Sequence, residues 1–146
     1  MSNIDTPDFT PEEYREFLDG LGIGGVRLES SWSNCSVWRL PDTKESVVAQ
    51  PKFEVLSYHL FDDKSGFMAM AKTGVVFTLD EESIAGAEAT FVAVYTSDGP
   101  LSEEMVKTFV DTNLALLIWP YAREFVQNMV SRFGWEPYAL PLFVTG

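Results

Sequence analysis

Residue types that could carry chemistry are few in this sequence, and they do not cluster. His59 is the single histidine and lies in a stretch of strand-forming residues, where a lone histidine is usually structural. Cys35 is the single cysteine, and its asparagine and serine neighbours offer no positive charge to activate the thiol. No serine–histidine–acid set is suggested by order or spacing, and no cysteine or histidine cluster has metal-ligand spacing.

Two acidic clusters and one glycine-rich stretch are the remaining candidates. Residues 62–63 and 80–82 are turn acids that lack the alternating ligands and distal glutamate of a calcium loop. Residues 22–25 (Gly-Ile-Gly-Gly) precede an expected strand, whereas a phosphate-binding loop precedes a helix. We therefore predict a binding protein that is not an enzyme, with no catalytic residues, no metal and no cofactor.

The chain is instead rich in aromatic side chains, with four tryptophans, five tyrosines and eleven phenylalanines. Most phenylalanines fit a plain core, but four indole N–H groups are hard to satisfy inside one small core. Five methionines add apolar surface that adapts to different partners. This composition predicts exposed aromatic surface that is used for binding.

Length and charge limit the class of protein. A chain of 146 residues with 46% apolar residues predicts one globular domain. No apolar stretch approaches the ~20 residues that cross a bilayer, so we expect no membrane insertion. The acidic N-terminus lacks a signal-peptide pattern and the cysteine is single, which predicts a cytoplasmic protein. The net charge of −12, with scattered basic residues, argues against nucleic-acid binding and favours basic partners or solubility alone.

The order of elements predicts an α+β fold in a single domain, residues 1–146. Residues 1–24 are expected to form a tail and a short amphipathic helix over residues 11–20. Thr10 and Pro11 mark the start of this helix, and the glycines that follow it mark its end. Residues 25–98 alternate with a period of two and predict an antiparallel sheet. Its strands are expected from Val26 and over 53–61, 66–79 and 89–96, with a turn at 62–66 and a loop at 81–88.

The expected sheet has two apolar faces. On the first strand Leu28, Trp32 and Trp38 share one parity and predict one dry face. On the third strand, residues 66–79, both parities are mostly apolar. We expect helices to cover one face, and the N-terminal helix, another subunit or a bound partner to cover the second. The alternative is a register that a β-bulge shifts by one residue.

Residues 101–134 predict a helical segment. Ser102 caps a first helix, which breaks near residues 113–120. The main helix follows, with Pro120 in its first turn and Gly134 at its end. Its apolar positions recur at helical spacing: Tyr121, Ala122, Phe125, Val126, Met129, Val130 and Phe133. Residues 135–146 hold two prolines and predict an extended tail.

The amino-acid sequence of this helix resembles that of the signature helix of the SecB family of export chaperones. That family reads Phe-Pro-Tyr-Ala-Arg-Glu where residues 119–124 read Trp-Pro-Tyr-Ala-Arg-Glu. Met-Val-Ser-Arg at 129–132 and the later Pro141 and Phe143 are similar to the family's following segment, and residues 26–31 resemble its first strand. The resemblance covers residues 25–143.

This resemblance implies an ATP-independent chaperone, a holdase. It implies a four-stranded antiparallel sheet packed on a long C-terminal helix, assembled as a homo-oligomer that is a dimer of dimers. Clients would lie in aromatic-lined grooves, and an acidic sheet surface would receive the motor SecA, with Glu29 as the matching acidic position. The short N-terminal helix is extra to the family. SecB continues into a further helix where this sequence ends, so a shortened or absent groove cover is expected.

These expectations assign residues to roles. The client-binding candidates are Trp32, Trp38, Trp135, Tyr138, Leu142 and Phe143. The oligomer-interface candidates are Leu117, Tyr121, Phe125 and Met129. The partner is an unfolded client protein for export, or an antitoxin, as in the SecB-like proteins of toxin–antitoxin systems. Two other classes stay open: a small-ligand-binding domain with an aromatic pocket, and an enzyme of unrecognised type.

Overall fold

A four-stranded antiparallel sheet and three helices make up the computed structural model, which describes residues 9–37, 47–99 and 101–135. The helices are α1 (Pro11–Asp19), α2 (Glu103–Thr112) and α3 (Leu114–Arg132), and the strands are β1 (Leu21–Cys35), β2 (Val47–Leu60), β3 (Gly66–Leu79) and β4 (Glu82–Ser97). The strand order is β1-β4-β3-β2, so β1 and β2 are the edges. The predicted α+β class and the antiparallel sheet are confirmed.

Side-chain caps start the two shorter helices where the sequence predicts them. Thr10 and Glu13 form a capping box, in which each backbone amide donates to the other residue's side chain at 3.1 Å. Pro11 takes the first position of α1, where its missing amide has no partner to lose. Ser102 caps α2 by accepting from the Met105 amide at 3.1 Å. Caps of this kind contribute about 1 kcal/mol each.

The first two strands begin earlier than predicted. β1 starts at Leu21 rather than at Val26, because residues 22–25 pair with β4 instead of releasing the chain from the helix. β2 starts at Val47 rather than at Phe53. Glycine is unfavourable inside a strand, so the pairing of this glycine-rich stretch depends on its neighbours in β4 and not on its own propensity.

The hairpin between β3 and β4 is tighter than predicted. β3 ends where the sequence predicts, and β4 begins at Glu82. Asp80 and Glu81 make the turn with positive φ angles of 51° and 68°, the conformation that a two-residue hairpin of this kind requires. The loop predicted at residues 81–88 is therefore wrong, because nearly all of that stretch belongs to β4.

All three helices lie on one face of the sheet. The odd-numbered residues 67–77 of β3 face the helices and are at most 3% exposed. Phe17 of α1 contacts Phe67 and also Phe109 of α2, which places the N-terminal helix on this same face. The expectation that α1 could cover the second face is therefore wrong. We call that second face, on which none of the described helices packs, the open face; it carries Met68, Met70, Val76, Val94 and Trp32.

A β-bulge reverses the alternation of β1 between Leu28 and Ser30. Before the bulge, Leu28 pairs with Phe91 on the face that the helices cover. After the bulge, Trp32 pairs with Glu88 on the open face. The prediction that Leu28 and Trp32 share one dry face is therefore wrong, and the alternative of a shifted register holds for this strand.

Helix α3 begins before Pro120, which lies in its interior and not in its first turn as predicted. The preceding turns stay helical because Leu114, Ile118 and Trp119 are buried against the rest of the domain. Pro120 cannot donate a hydrogen bond to the Leu116 carbonyl. Since Leu116 is 49% exposed, water can reach that part of the helix.

Gly74 of β3 is a position where the sheet tolerates no side chain. A Cβ atom there would lie 2.0 Å from the Ala87 carbonyl oxygen and 2.8 Å from the Glu88 Cα of β4. We predict that Gly74→Ala lowers the free energy of unfolding by about 1–3 kcal/mol, because β3 and β4 must move apart. Gly25→Ala is the matched control, since its Cβ meets nothing within 4 Å. Urea unfolding should show a change within about 0.5 kcal/mol for the control; equal losses in both variants would contradict the close approach.

Candidate protein-binding surfaces

Exposed apolar side chains mark the candidate surfaces for binding other proteins. Among the described residues, the large apolar side chains that are at least 40% exposed are Ile23, Leu28, Trp32, Val48, Leu56, Leu116 and Tyr121. They lie on the two edge strands and on α3. Single exposed apolar residues are normal, so the informative ones are those that join into a patch.

One patch runs from β1 to the outer side of α3. Leu28 pairs with Phe91, whose ring centroid lies 6.0 Å from that of Tyr121. Leu28 is 48% exposed and Tyr121 is 40% exposed. We call Ile23, Leu28, Leu116, Leu117 and Tyr121 the outer band. It exists because α3 packs over β3 and β4 and leaves Ile23 and Leu28 of β1 exposed, whereas Leu21 and Val26 of the same strand pack against the core.

The predicted oligomer-interface residues follow one stripe along α3. Leu117, Tyr121, Phe125 and Met129 recur four residues apart, which is the spacing of one helix face. Tyr121 is exposed, and the other three are half-buried. Phe125 also contacts both apolar clusters that fill the space beneath the helices. Tyr121 is therefore the residue of this stripe with the most surface free for another molecule, and the interface itself stays a prediction.

The second patch lies on the open face around Trp32. Its side chain is 53% exposed, and its ring lies over Gly86 of β4, 3.1 Å from the position that a Cβ atom would take there. Gly86 pairs with Val76, and Met68 and Met70 lie further along the same face. An indole with a glycine beneath it and solvent above it offers a flat apolar surface to a partner.

The remaining client-binding candidates are not on these patches. Trp135 is 7% exposed and makes edge contacts to Phe77 and Phe133, with ring centroids 5.2 and 5.5 Å apart. Its indole Nε1 is buried without a hydrogen-bond partner in the described part of the chain. Trp38, Tyr138, Leu142 and Phe143 lie outside the described residues. Trp32 is therefore the candidate for which the structure shows an exposed side chain.

Charges of both signs are mixed on the open face. Lys52, Glu54, Lys72 and Glu88 line a cavity of about 290 Å³. Glu29, the predicted motor contact, forms an ion pair with Arg27 of the same strand. The resemblance implies an acidic sheet surface for SecA. The open face carries cations beside its carboxylates, even though the whole chain has a net charge of −12.

A cluster of aromatic rings lies beneath α1. Phe67, Tyr95 and Phe109 contact one another at centroid distances of 4.8, 4.9 and 5.7 Å, and we call these three residues the aromatic floor. The Tyr95 hydroxyl is buried and has no hydrogen-bond partner within the described residues. Burial also raises the pKa of Tyr95 well above its usual value. Sequence reasoning places Phe67 and Tyr95 on strands, but alternation gives no signal for their contact with Phe109.

Cys35 and His59 are the single cysteine and the single histidine that were considered above as candidates for chemistry. The Cys35 Sγ donates to the Val37 carbonyl at 2.7 Å, and His59 is exposed on β2. Over residues 9–37, 47–99 and 101–135, no three histidine, cysteine, aspartate or glutamate side chains are grouped so that they could hold a metal ion. None of α1, α2 and α3 is long and apolar enough to cross a membrane.

Comparison with solved structures identifies the fold. The SecB-like chaperone Rv1957 of Mycobacterium tuberculosis, in complex with a ChAD peptide from the antitoxin Rv1956 HigA1, matches this chain with a TM-score of 0.75. The match covers 88% of this chain and 94% of that chain at 17% sequence identity. No protein-family model and no curated protein matches the sequence. The chain therefore has a SecB-like fold, as the resemblance of α3 to the SecB signature helix predicts.

We predict that Tyr95→Phe is neutral or stabilising at pH 7, by up to about 1 kcal/mol, because it removes a buried hydroxyl without a partner. A tyrosine of ordinary pKa, about 10, loses its proton in the unfolded chain at a pH where the folded Tyr95 still keeps it. The wild-type protein should therefore lose stability as the pH rises above about 10, and the variant should lose less. Urea midpoints at pH 7 and at pH values on either side of about 10 measure this, with the exposed Tyr121→Phe as control. Parallel losses in wild type and Tyr95→Phe would contradict the role of this hydroxyl.

Proposed function

We propose that this protein is a chaperone that binds non-native segments of other proteins and is not an enzyme. The observation that carries this proposal is a SecB-like fold that leaves apolar side chains, among them Trp32 and Tyr121, on surfaces that the described helices do not cover. Exposed apolar surface of this kind is typical of interaction sites. A holdase needs such surface and no catalytic group, which agrees with the absence of a catalytic pattern in the sequence.

The strength of the individual contacts suits binding without fixed sequence. Full burial of one large apolar side chain contributes about 1.5–3 kcal/mol. Exposed apolar side chains such as Trp32 are only about half exposed, so each adds roughly 1 kcal/mol when a client covers it. Micromolar affinity requires about 8 kcal/mol. A client must therefore cover several of these side chains at once, which favours long unfolded segments over small ligands.

The client class follows from the fold neighbour and from charge. Rv1957 is bound to a peptide of an antitoxin, and we propose a non-native client of the same kind here. SecA is the second partner that the resemblance implies, but it would have to compete with Arg27 for Glu29. The mixed charges of the open face therefore favour a dedicated client over the export motor. Trp38, Tyr138, Leu142 and Phe143 remain proposed client contacts together with Trp32. Trp135, which is 7% exposed, would contact a client only after its packing against Phe77 and Phe133 opens.

The outer band is the surface that we propose for self-association. It joins Tyr121 and Leu117 of α3 to the free edge of β1, so a second copy could cover both at once. A homo-oligomer, as a dimer of dimers in the cytoplasm, is the assembly that the SecB resemblance implies. The alternative of a small-ligand-binding domain is not favoured, because four of the six residues that line the cavity at Lys52 and Glu88 are charged and Phe53 is the single aromatic residue among them.

We predict that the protein suppresses aggregation of several unrelated unfolded clients without nucleotide, and that Trp32→Ser weakens client binding by about five- to tenfold. The expected loss follows from the exposed indole on Gly86, whose removal leaves the core intact. Trp32→Phe should keep most of the affinity. Light scattering of the aggregating client and fluorescence anisotropy of a labelled client measure both effects. Failure of the wild-type protein at molar excess over each client would sink the proposal.

For self-association we predict that Tyr121→Glu lowers the native mass toward that of one chain, because it places a charge in the proposed interface. Gln127→Glu adds the same charge at an exposed position outside the interface stripe of α3 and should leave the mass unchanged. Light scattering after size exclusion measures the mass. An unchanged mass in Tyr121→Glu, with a wild-type protein that is oligomeric, would place the interface elsewhere.

A further inference from the structure

Helix α1 covers the aromatic floor with a single buried anchor. Phe17 is fully buried, and its ring centroid lies 6.4 Å from Phe67 and 6.2 Å from Phe109. Tyr14 lies one helical turn earlier, 5.6 Å from Phe17. Tyr14 and Phe17 therefore have the i, i+3 spacing with which an apolar helix binds in a groove.

The attachment of α1 rests on a few side chains. The helix has nine residues, Phe17 is its only buried side chain, and Tyr14 and Leu18 are half-buried against the same cluster. Helices shorter than about 12 residues are not stable in water unless they pack on something. The Tyr14 hydroxyl links the helix to the domain by donating to the Asn113 Oδ1 at 3.3 Å, and the Asp98 amide donates to the carbonyl of Gly20 at the helix end at 2.9 Å. A few contacts thus decide whether this segment is docked and helical.

The chain after α1 is rich in glycine. Gly20 follows the helix directly, and Gly22, Gly24 and Gly25 lie in the first five residues of β1. Gly22, Gly24 and Gly25 belong to the part of β1 that pairs with β4, but Gly20 precedes the strand and can bend with little strain. Release of α1 by bending at Gly20 therefore leaves the pairing of β1 with β4 in place.

The docked helix leaves one polar group of the aromatic floor without a hydrogen bond. Tyr95 is 2% exposed, and its buried hydroxyl has no hydrogen-bond partner among the described residues. A buried polar group without a partner is unfavourable, and α1 supplies none for it. The helix also carries Glu12, Glu13, Glu16 and Asp19 against one Arg15, in a chain whose net charge is already −12. A less acidic segment would meet less repulsion at the same place.

We propose that the aromatic floor is a latent client subsite and that α1 is the displaceable segment that occupies it while no client is bound. The occupant that replaces α1 is an apolar segment of a non-native protein with aromatic or aliphatic residues spaced like Tyr14 and Phe17. This inference rests on the proposed chaperone function and adds regulation to it: client binding and release of α1 are coupled.

Hydrogen exchange of the full-length protein tests the coupling. The probe is reduced, carboxymethylated α-lactalbumin, which stays unfolded without denaturant. With saturating probe, the amides of residues 15–19 should exchange at least about tenfold faster than without it, because the displaced helix unfolds. The amides of β3 serve as the internal control and should not exchange faster. Unchanged or slower exchange in α1 with the probe bound would overturn the inference.

A variant separates this inference from the proposed function. Glu16→Pro breaks α1 from its solvent side and leaves Phe17 and the aromatic floor in place. It should bind the probe about five- to tenfold more tightly than Glu16→Ala, the matched control. Equal or weaker binding by a folded Glu16→Pro protein would overturn the inference; if that variant does not fold, the exchange result on the wild type decides. A wild-type protein that binds no probe at all overturns both proposals, whereas binding with α1 still protected overturns only this one.

Discussion

The burial of one sheet face beneath three helices is the interaction on which the rest of this structure depends. The inward residues of β4, the odd-numbered residues 85–95, are at most 6% exposed, and those of β3 are at most 3% exposed. Six of these inward residues are alanines: Ala69, Ala71, Ala85, Ala87, Ala89 and Ala93. Small side chains in the middle of a sheet let helices approach its backbone closely, while Phe67 and Tyr95 fill one end.

The second face and the edges follow from that arrangement. Since the described helices all lie on one side, Trp32 and the methionines of β3 stay on the open face. The two edge strands are long, at 15 and 14 residues, and exposed edges of this length invite pairing with other chains. A net charge of −12 opposes uncontrolled association of such a surface. Stability therefore comes from one side of the sheet, and the proposed chaperone function uses the other surfaces.

Part of this architecture could be predicted from the sequence because local chemistry decides it. Thr10 with Glu13 predicts the start of α1, and β3 is predicted at its observed bounds. The SecB-like fold is predicted from the sequence motif at residues 119–124. The sequence leaves a β-bulge open as an alternative, but its position after Leu28 cannot be predicted, because one inserted residue leaves the apolar pattern almost unchanged while it moves Trp32 to the other face. The start of β4 could not be predicted because the usual signal for a two-residue turn is Asn-Gly or Asp-Gly, and here Glu81 takes the positive φ where glycine is expected.

The central claim is that this fold holds non-native protein on its exposed apolar surfaces, and the native mass tests it most directly. Light scattering after size exclusion would be measured with and without reduced, carboxymethylated α-lactalbumin. The account predicts an oligomer whose mass increases by that of the client and does not depend on nucleotide. A protein whose mass is the same with and without the unfolded chain would contradict the account, because the SecB-like fold would then be present without the binding that its exposed surfaces imply.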